Sequence, residues 1–168
     1  MKLSLVIPTY NEKENIQRLL DKLESIFKKN RIDAEIIVVD DKSPDGTGEL
    51  LDELKRKKKF SFLRVLHRTG KLGLSSAVLK GFSVAEGDVL GVMDSDLSHP
   101  PEKVAEMFKH MKTADLVIGT RYMPGGKIIG WNLKRKMMSK GATILARLYT
   151  KARDPMSGFF MIKKRCIK

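Results

Sequence analysis

Short apolar runs alternate along this chain with longer stretches in which apolar residues return every three or four positions. The runs at 3–7, 35–39, 62–66, 89–93 and 115–119 have the length and largely apolar character of buried strands, and 89–93 carries no charge at all. Between them, Ile16, Leu19, Leu20, Leu23, Ile26 and Phe27 mark one face of a first helix, and Leu50, Leu51 and Leu54 one face of a second. Val78, Leu79, Phe82 and Val84 predict a third helix, and Val104, Met107, Phe108 and Met111 a fourth. Thr47 or Asp45 is placed to cap the second helix, which runs out in Lys55-Arg56-Lys57-Lys58-Lys59, a cationic end favoured by the helix dipole. Strand and helix in strict alternation predict an α/β fold, with a mainly parallel sheet, right-handed crossovers and helices on both faces.

Beyond Gly125-Gly126 the pattern changes. A strongly basic stretch with Lys134, Arg135, Lys136 and Lys140 leads into a helical pattern at Ile144, Leu145, Leu148 and Tyr149, and a turn at 154–158 precedes a last short apolar strand. Internal repeats and low-complexity linkers are absent, and 168 residues suggest one domain, able to bury roughly two thirds of its unfolded surface.

The strand at 89–93 ends abruptly in Asp94-Ser95-Asp96-Leu97-Ser98-His99-Pro100-Pro101. Two carboxylates one residue apart repel each other, so the arrangement is favourable chiefly when a divalent cation sits between them and a second anion such as a diphosphate. A plainer reading has Asp96 or Ser98 capping a helix that begins near Pro100. Two other strands also end in acid, at Tyr10 to Glu12 and at Asp40-Asp41. In a parallel sheet all carboxyl ends lie along one edge, where ligands bind, so the three acidic tips are expected to meet.

Composition narrows what they meet around. Lys and Arg outnumber Asp and Glu by 33 to 20, a net charge of +13, which points to an anionic partner: nucleotide, phosphorylated lipid, membrane surface or nucleic acid. Nucleic acid is disfavoured by the scatter of the basic residues and by aromatics at 7% of the chain. The single cysteine, Cys166, excludes an internal disulfide and fits a reducing compartment. Met1-Lys2-Leu3-Ser4 runs straight into the first strand, leaving no room for a signal peptide, and no window reaches the roughly 18–20 apolar residues of a membrane span. The sequence has neither a P-loop motif nor a Gly-x-Gly-x-x-Gly fingerprint, so metal and side chains are expected to hold any phosphates.

Six segments in order carry a resemblance: Pro8-Thr9-Tyr10-Asn11-Glu12; Val38-Val39-Asp40-Asp41 with Ser43-Pro44-Asp45-Gly46; Gly73-Leu74-Ser75-Ser76-Ala77; Met93-Asp94-Ser95-Asp96-Leu97-Ser98-His99-Pro100-Pro101; Gly119-Thr120-Arg121-Tyr122; and Asp154-Pro155-Met156-Ser157-Gly158-Phe159-Phe160. Together they resemble family 2 glycosyltransferases of the dolichol-phosphate mannose synthase group over nearly the whole chain. The resemblance implies a Rossmann-like GT-A fold, GDP-mannose as donor, dolichyl or polyprenyl phosphate as acceptor, and inversion at the sugar. It implies a donor site of Pro8, Tyr10, Glu12, Val39, Asp41, Asp94, Ser95, Asp96 and Ser98, with Mg²⁺ or Mn²⁺ on Asp96 and Ser98. Position 98 is Gln in some relatives, and the shorter Ser reaches a metal through water.

The acceptor phosphate is matched by Arg121, Arg135 and Ser139, whose planar guanidinium forks and hydroxyl suit phosphate oxygens. Asp96, Arg121 and Arg135 are the expected catalytic residues. Lys134, Lys136 and Lys140 would add attraction to anionic headgroups, roughly 1 kcal/mol each near a membrane surface. The resemblance places the protein peripherally on the cytoplasmic face of a membrane, as one GT-A domain over 1–168 that lacks the C-terminal part of its relatives. UDP-glucose transfer to the same lipid class and nucleotide binding without turnover are the competing functions. His67, His99 and His110 read as structural or surface groups.

Overall fold

The computed structural model describes residues 1–120, 154 and 157–167. Its strands are β1 (Leu3–Thr9), β2 (Ala34–Asp40), β3 (Leu63–His67), β4 (Val89–Val92), β5 (Leu116–Ile118) and β6 (Phe160–Lys163), and its helices α1 (Lys13–Asn30), α2 (Thr47–Arg56), α3 (Leu74–Val84) and α4 (Lys103–His110). The strands form one sheet in the order β3-β2-β1-β4-β6-β5. β1 pairs in parallel with β2 and β4, and β2 with β3, whereas β6 runs antiparallel between β4 and β5. The α/β reading with a mainly parallel sheet holds, and the carboxyl ends of β1 to β5 share one edge.

The sheet is covered on both faces, which explains why its strands read as mostly apolar runs. Leu5, Ile7, Ile36 and Val38 pack with Leu20 of α1, Leu51 of α2 and Val104 of α4, while Val6, Ile37, Val39 and Leu90 face Ala77 of α3. The helical periodicity of α1, α2 and α4 identifies their buried faces correctly. That of α3 does not: Leu79 is 65% exposed, and the buried positions are the small residues Ala77 and Gly81. A Cβ on Gly81 would lie 2.8 Å from Cγ2 of Val6 and closer still to Cγ1, so the helix backbone itself rests on β1. The fully buried Val6 has no room to yield. Gly81→Ala is therefore expected to destabilise the fold, because an overpacking cost of about 1–3 kcal/mol outweighs the roughly 1 kcal/mol that Ala gains over Gly in a helix; a lower urea midpoint at unchanged slope would register it.

Pro100 and Pro101 do not begin a helix. They form the turn before α4, with the N–H groups of Lys103 and Val104 donating to the carbonyls of Pro100 and Pro101 at 3.0 Å each. The capping reading of Asp96 also fails: its Oδ1 accepts from the Ser98 N–H at 2.9 Å, inside its own loop. In α2, Gly46 occupies the N-cap position with φ +88°, and Asp45 accepts the Thr47 N–H at 3.0 Å.

Candidate functional site

Sheet order dictates where a crevice forms. The chain steps outward from β1 to β2 and β3 on one side, then crosses back to β4 on the other, so the loops after β1 and β4 diverge at the carboxyl edge. Register brings their tips level: Thr9 lies opposite Asp40 and Val6 opposite Val92, and the N–H groups of Asp41 and Met93 donate to Thr9 and Val6 carbonyls at 3.0 and 3.1 Å. Pro8, Glu12, Asp41 and the Asp94 to Ser98 loop all lie at that edge.

The loops after β1 and β2 are sewn together. The N–H groups of Asn11, Glu12 and Lys13 donate in turn to Ser43 Oγ, Thr47 Oγ1 and Asp45 Oδ2 at 3.0, 3.0 and 3.1 Å. This is why Asn11 holds φ +59°, a conformation Asn tolerates better than most residues. Tyr10 is half-buried, with Lys71 Nζ 4.0 Å over its ring. Pro8 is buried and its carbonyl accepts from Ser95 Oγ at 3.3 Å, tying the β1 tip to the β4 tip. Val39 is wholly buried beneath α3, so its side chain is not available to a ligand.

The two acids at the β2 tip part company. Asp40 is buried, accepts from Ser43 and lies near His67 Nδ1 at 3.7 Å. His67 also joins Asp52 at 3.0 Å, and this hydrogen bond leads the contacts that raise its pKa. Asp41 is buried against Arg68: Oδ1 accepts from Nε, and Oδ2 accepts from Nη2 at 2.6 Å and from the N–H groups of Leu72 and Gly73 at 3.1 and 3.2 Å. One of the three acidic tips is thus neutralised by the chain itself. No motif in the sequence marks Arg68, although its place one residue beyond β3 puts it beside the residue one beyond β2, since Asp40 and His67 are in register.

Negative charge does accumulate at the other two tips. Asp94 is partly buried and Asp96 exposed, and the loop between them and Ser98 places Leu97 at φ +61°, a strained conformation for a bulky side chain. The Glu12 carboxyl is pushed above its ordinary pKa, first by burial and then by the charges of Asp96, Asp45 and Asp94, against the pull of the Asn15 amide. Glu12, Asp94 and Asp96 therefore share one electrostatic environment. This is a cluster of hard oxygen donors, the chemistry suited to Mg²⁺ or Mn²⁺. Among the described residues, no group of three or more acidic, His or Cys side chains forms a cage around a single ion. That donor set fits an ion held by one or two carboxylates and completed by substrate phosphates and water.

Of the expected donor-site residues, Pro8, Tyr10, Glu12, Asp41, Asp94, Ser95, Asp96 and Ser98 lie on the carboxyl edge, and Val39 lies just beneath it. Arg121, Arg135 and Ser139, the acceptor-phosphate residues, lie outside the described residues, as do Lys134, Lys136 and Lys140. Among the described residues no helix is long and apolar enough to cross a membrane.

The model of Glycosyl transferase family 2 matches residues 4–168. The chain belongs to that family. It is 43% identical over 173 residues to the Dolichol-phosphate mannosyltransferase of Pyrococcus furiosus, a match covering 100% of this chain and 48% of that protein. With the Dolichol-phosphate mannosyltransferase of Saccharomyces cerevisiae it shares 41% identity over 98% of this chain and 62% of that protein. The chain thus spans about half to three fifths of the length of these curated relatives. Among solved structures, the mannosyltransferase PcManGT of Pyrobaculum calidifontis, in complex with GDP-Man and Mn²⁺, superposes with a TM-score of 0.61 at 24% identity, covering 70% of this chain and 35% of that one. The architecture is that of the GT-A glycosyltransferases, as the sequence motifs implied.

Proposed function

We propose that the chain is the nucleotide-sugar-binding part of a polyprenyl-phosphate mannosyltransferase, which moves mannose from GDP-mannose to dolichyl or polyprenyl phosphate with inversion. The observation that carries this reading is the shared electrostatic environment of Glu12, Asp94 and Asp96 at the crevice between β1 and β4. Carboxylates gathered there favour a cation arriving with a diphosphate. The names of the two relatives point to mannose and a dolichol-phosphate acceptor, and the likeness to PcManGT, whose structure holds GDP-Man with Mn²⁺, supports the donor.

On this reading Pro8, Tyr10, Glu12, Val39 and Asp41 form the guanosine side of the site, Val39 through its backbone alone because its side chain is buried. Asp94, Ser95 and Asp96 serve the ribose and diphosphate, and Asp96, with Ser98 beside it, would hold Mg²⁺ or Mn²⁺. When bound, the ion supplies Lewis-acid stabilisation of the departing diphosphate. Arg121, Arg135 and Ser139 grip and aim the acceptor phosphate. That phosphate is already ionised near neutral pH, its second pKa being about 6, so no general base is required. One of its oxygens bonds to the anomeric carbon as the bond from that carbon to the β-phosphate oxygen breaks, and GDP departs with the electron pair. A net charge of +13 suits work at an anionic membrane surface, and we place the protein peripherally on the cytoplasmic face.

The test is a donor and acceptor screen with and without Mn²⁺. GDP-mannose and a prenyl phosphate should give prenyl-phosphate mannose only in the presence of the ion. Preferential use of UDP-glucose would replace the sugar, and Mn²⁺-dependent GDP binding without turnover would reduce the function of this chain to nucleotide binding.

A further inference from the structure

His99 reads from sequence as a structural or surface histidine, yet its ring is fastened to the site. Nδ1 accepts the backbone N–H of Asp94 at 3.0 Å, and Nε2 lies 3.5 Å from Oδ2 of the same residue. A backbone N–H can only donate, so Nδ1 carries no proton in this arrangement and the ring proton resides on Nε2, facing the Asp94 carboxylate. One imidazole therefore holds the main chain of the first acid in the motif and stands beside its carboxylate.

The ring is held in turn from the far side of the sheet edge. It stacks on Phe159, centroids 4.9 Å apart and planes 10° from parallel. Phe159 is itself buried and packs directly on Gly119, where a Cβ would come within 2.6 Å of its Cδ1. The turn before Phe159 is pinned to the same strand end: Ser157 Oγ donates to the Gly119 carbonyl at 2.6 Å and accepts the Phe159 N–H at 3.2 Å. Gly119 is followed two residues later by Arg121. A continuous set of contacts thus runs from the end of β5 through the Ser157-Gly158-Phe159 turn to His99 and Asp94.

We infer that His99 is a positioning residue for the donor site: seated on Phe159, it sets the Asp94 backbone and carboxylate in the orientation that receives the metal-bound diphosphate. This rests on the proposed donor role of Asp94. The two side chains divide three duties between them. Phe159 sets the plane of the ring, Nδ1 sets the loop, and Nε2–H sets the carboxylate rotamer. Groups that orient carboxylates at metal and phosphate sites matter nearly as much as the carboxylates themselves.

The test compares the wild type with His99→Phe, which keeps the stack but removes both nitrogens, and His99→Gln, whose amide N–H reaches toward the Nε2 position. GDP affinity is measured by calorimetry with Mn²⁺ and with EDTA, alongside thermal midpoints to confirm folding. His99→Phe should lower the Mn²⁺-dependent affinity by about 10- to 100-fold while leaving the EDTA value unchanged, and His99→Gln should recover part of the loss. Wild-type affinity in the Phe variant, or equal losses with and without Mn²⁺, would make His99 a packing residue and overturn the inference; so would a Gln variant no better than Phe. Should wild-type protein itself gain nothing from Mn²⁺, the donor reading would fall. The His99 geometry would then be judged by ligand-free NMR, where the expected result is an Nε2–H tautomer with a scalar coupling from the Asp94 amide to Nδ1. A protonated Nδ1 would refute it.

Discussion

Asp96→Ala should leave a folded protein that no longer gains affinity for GDP when Mn²⁺ is added. Asp96 is exposed at the tip of the loop after β4, so the substitution disturbs little packing. Its expected effect arises from charge. The carboxylate joins Asp94 in raising the pKa of Glu12, and on the proposed function it is the side chain nearest to hand for an ion brought in by a diphosphate. A charge-assisted contact of about 1.5–3 kcal/mol corresponds to roughly 10- to 150-fold in affinity, and removing the metal's protein anchor exceeds a single such contact. Asp96→Asn separates charge from shape. The amide oxygen can still accept the Ser98 N–H and so support Leu97 in its left-handed conformation, yet it brings no charge to the ion. The Asn variant should therefore match the wild type in thermal midpoint and the Ala variant in its lost Mn²⁺ response. Metal-dependent affinity that survives in both variants would remove Asp96 from the site.

Much of this arrangement is legible without coordinates, for physical reasons that differ from element to element. Strands buried on both faces must be uninterrupted apolar runs, and Leu3, Leu5, Val6 and Ile7 or Ile36 to Val39 cannot be read otherwise. Parallel order then forces their tips to one edge, which makes the meeting of Glu12, Asp94 and Asp96 foreseeable from two short segments. What stays hidden depends on spacing in three dimensions. Hydrophobic periodicity assumes that large side chains face the core, and α3 breaks the assumption because Gly81 admits β1 so closely that Leu79 is left outside. Acidic tips look alike in sequence, yet Asp41 is satisfied by Arg68 while Asp96 is not drawn into any such pair among the described residues. His99 resembles any loop histidine until the antiparallel return of β6 brings Phe159 beneath it. Side-chain partners separated by tens of residues are set by topology, and a linear pattern does not encode them.

Breaking the pair of Asp41 and Arg68 should be the most destabilising polar substitution at this edge. Both side chains are nearly inaccessible, at 8% and 7%, and they share more than each other. Arg68 Nη1 donates to Ser76 Oγ at 2.7 Å and Nη2 to the Gly73 carbonyl at 2.9 Å, while Asp41 holds the Leu72 and Gly73 N–H groups. The pair thus clamps the whole segment that enters α3, including Gly73 at φ +92° and ψ 158°, a conformation open in practice to glycine alone. Removing one partner leaves an uncompensated charge in a dry place, at about 3–5 kcal/mol. At about 2–4 °C per kcal/mol for a chain of this size, Arg68→Ala or Asp41→Ala should lower the thermal midpoint by roughly 6–20 °C. The Arg68→Ala, Asp41→Ala double variant should lose less than the two single effects combined, because neither charge remains stranded. Lys71, three residues beyond Arg68, stands over Tyr10 by way of this same clamp, so each single variant should also expose the 70–74 segment to limited proteolysis. Two small, additive effects would mean that solvent reaches the pair and that the segment is held by something other than these two charges.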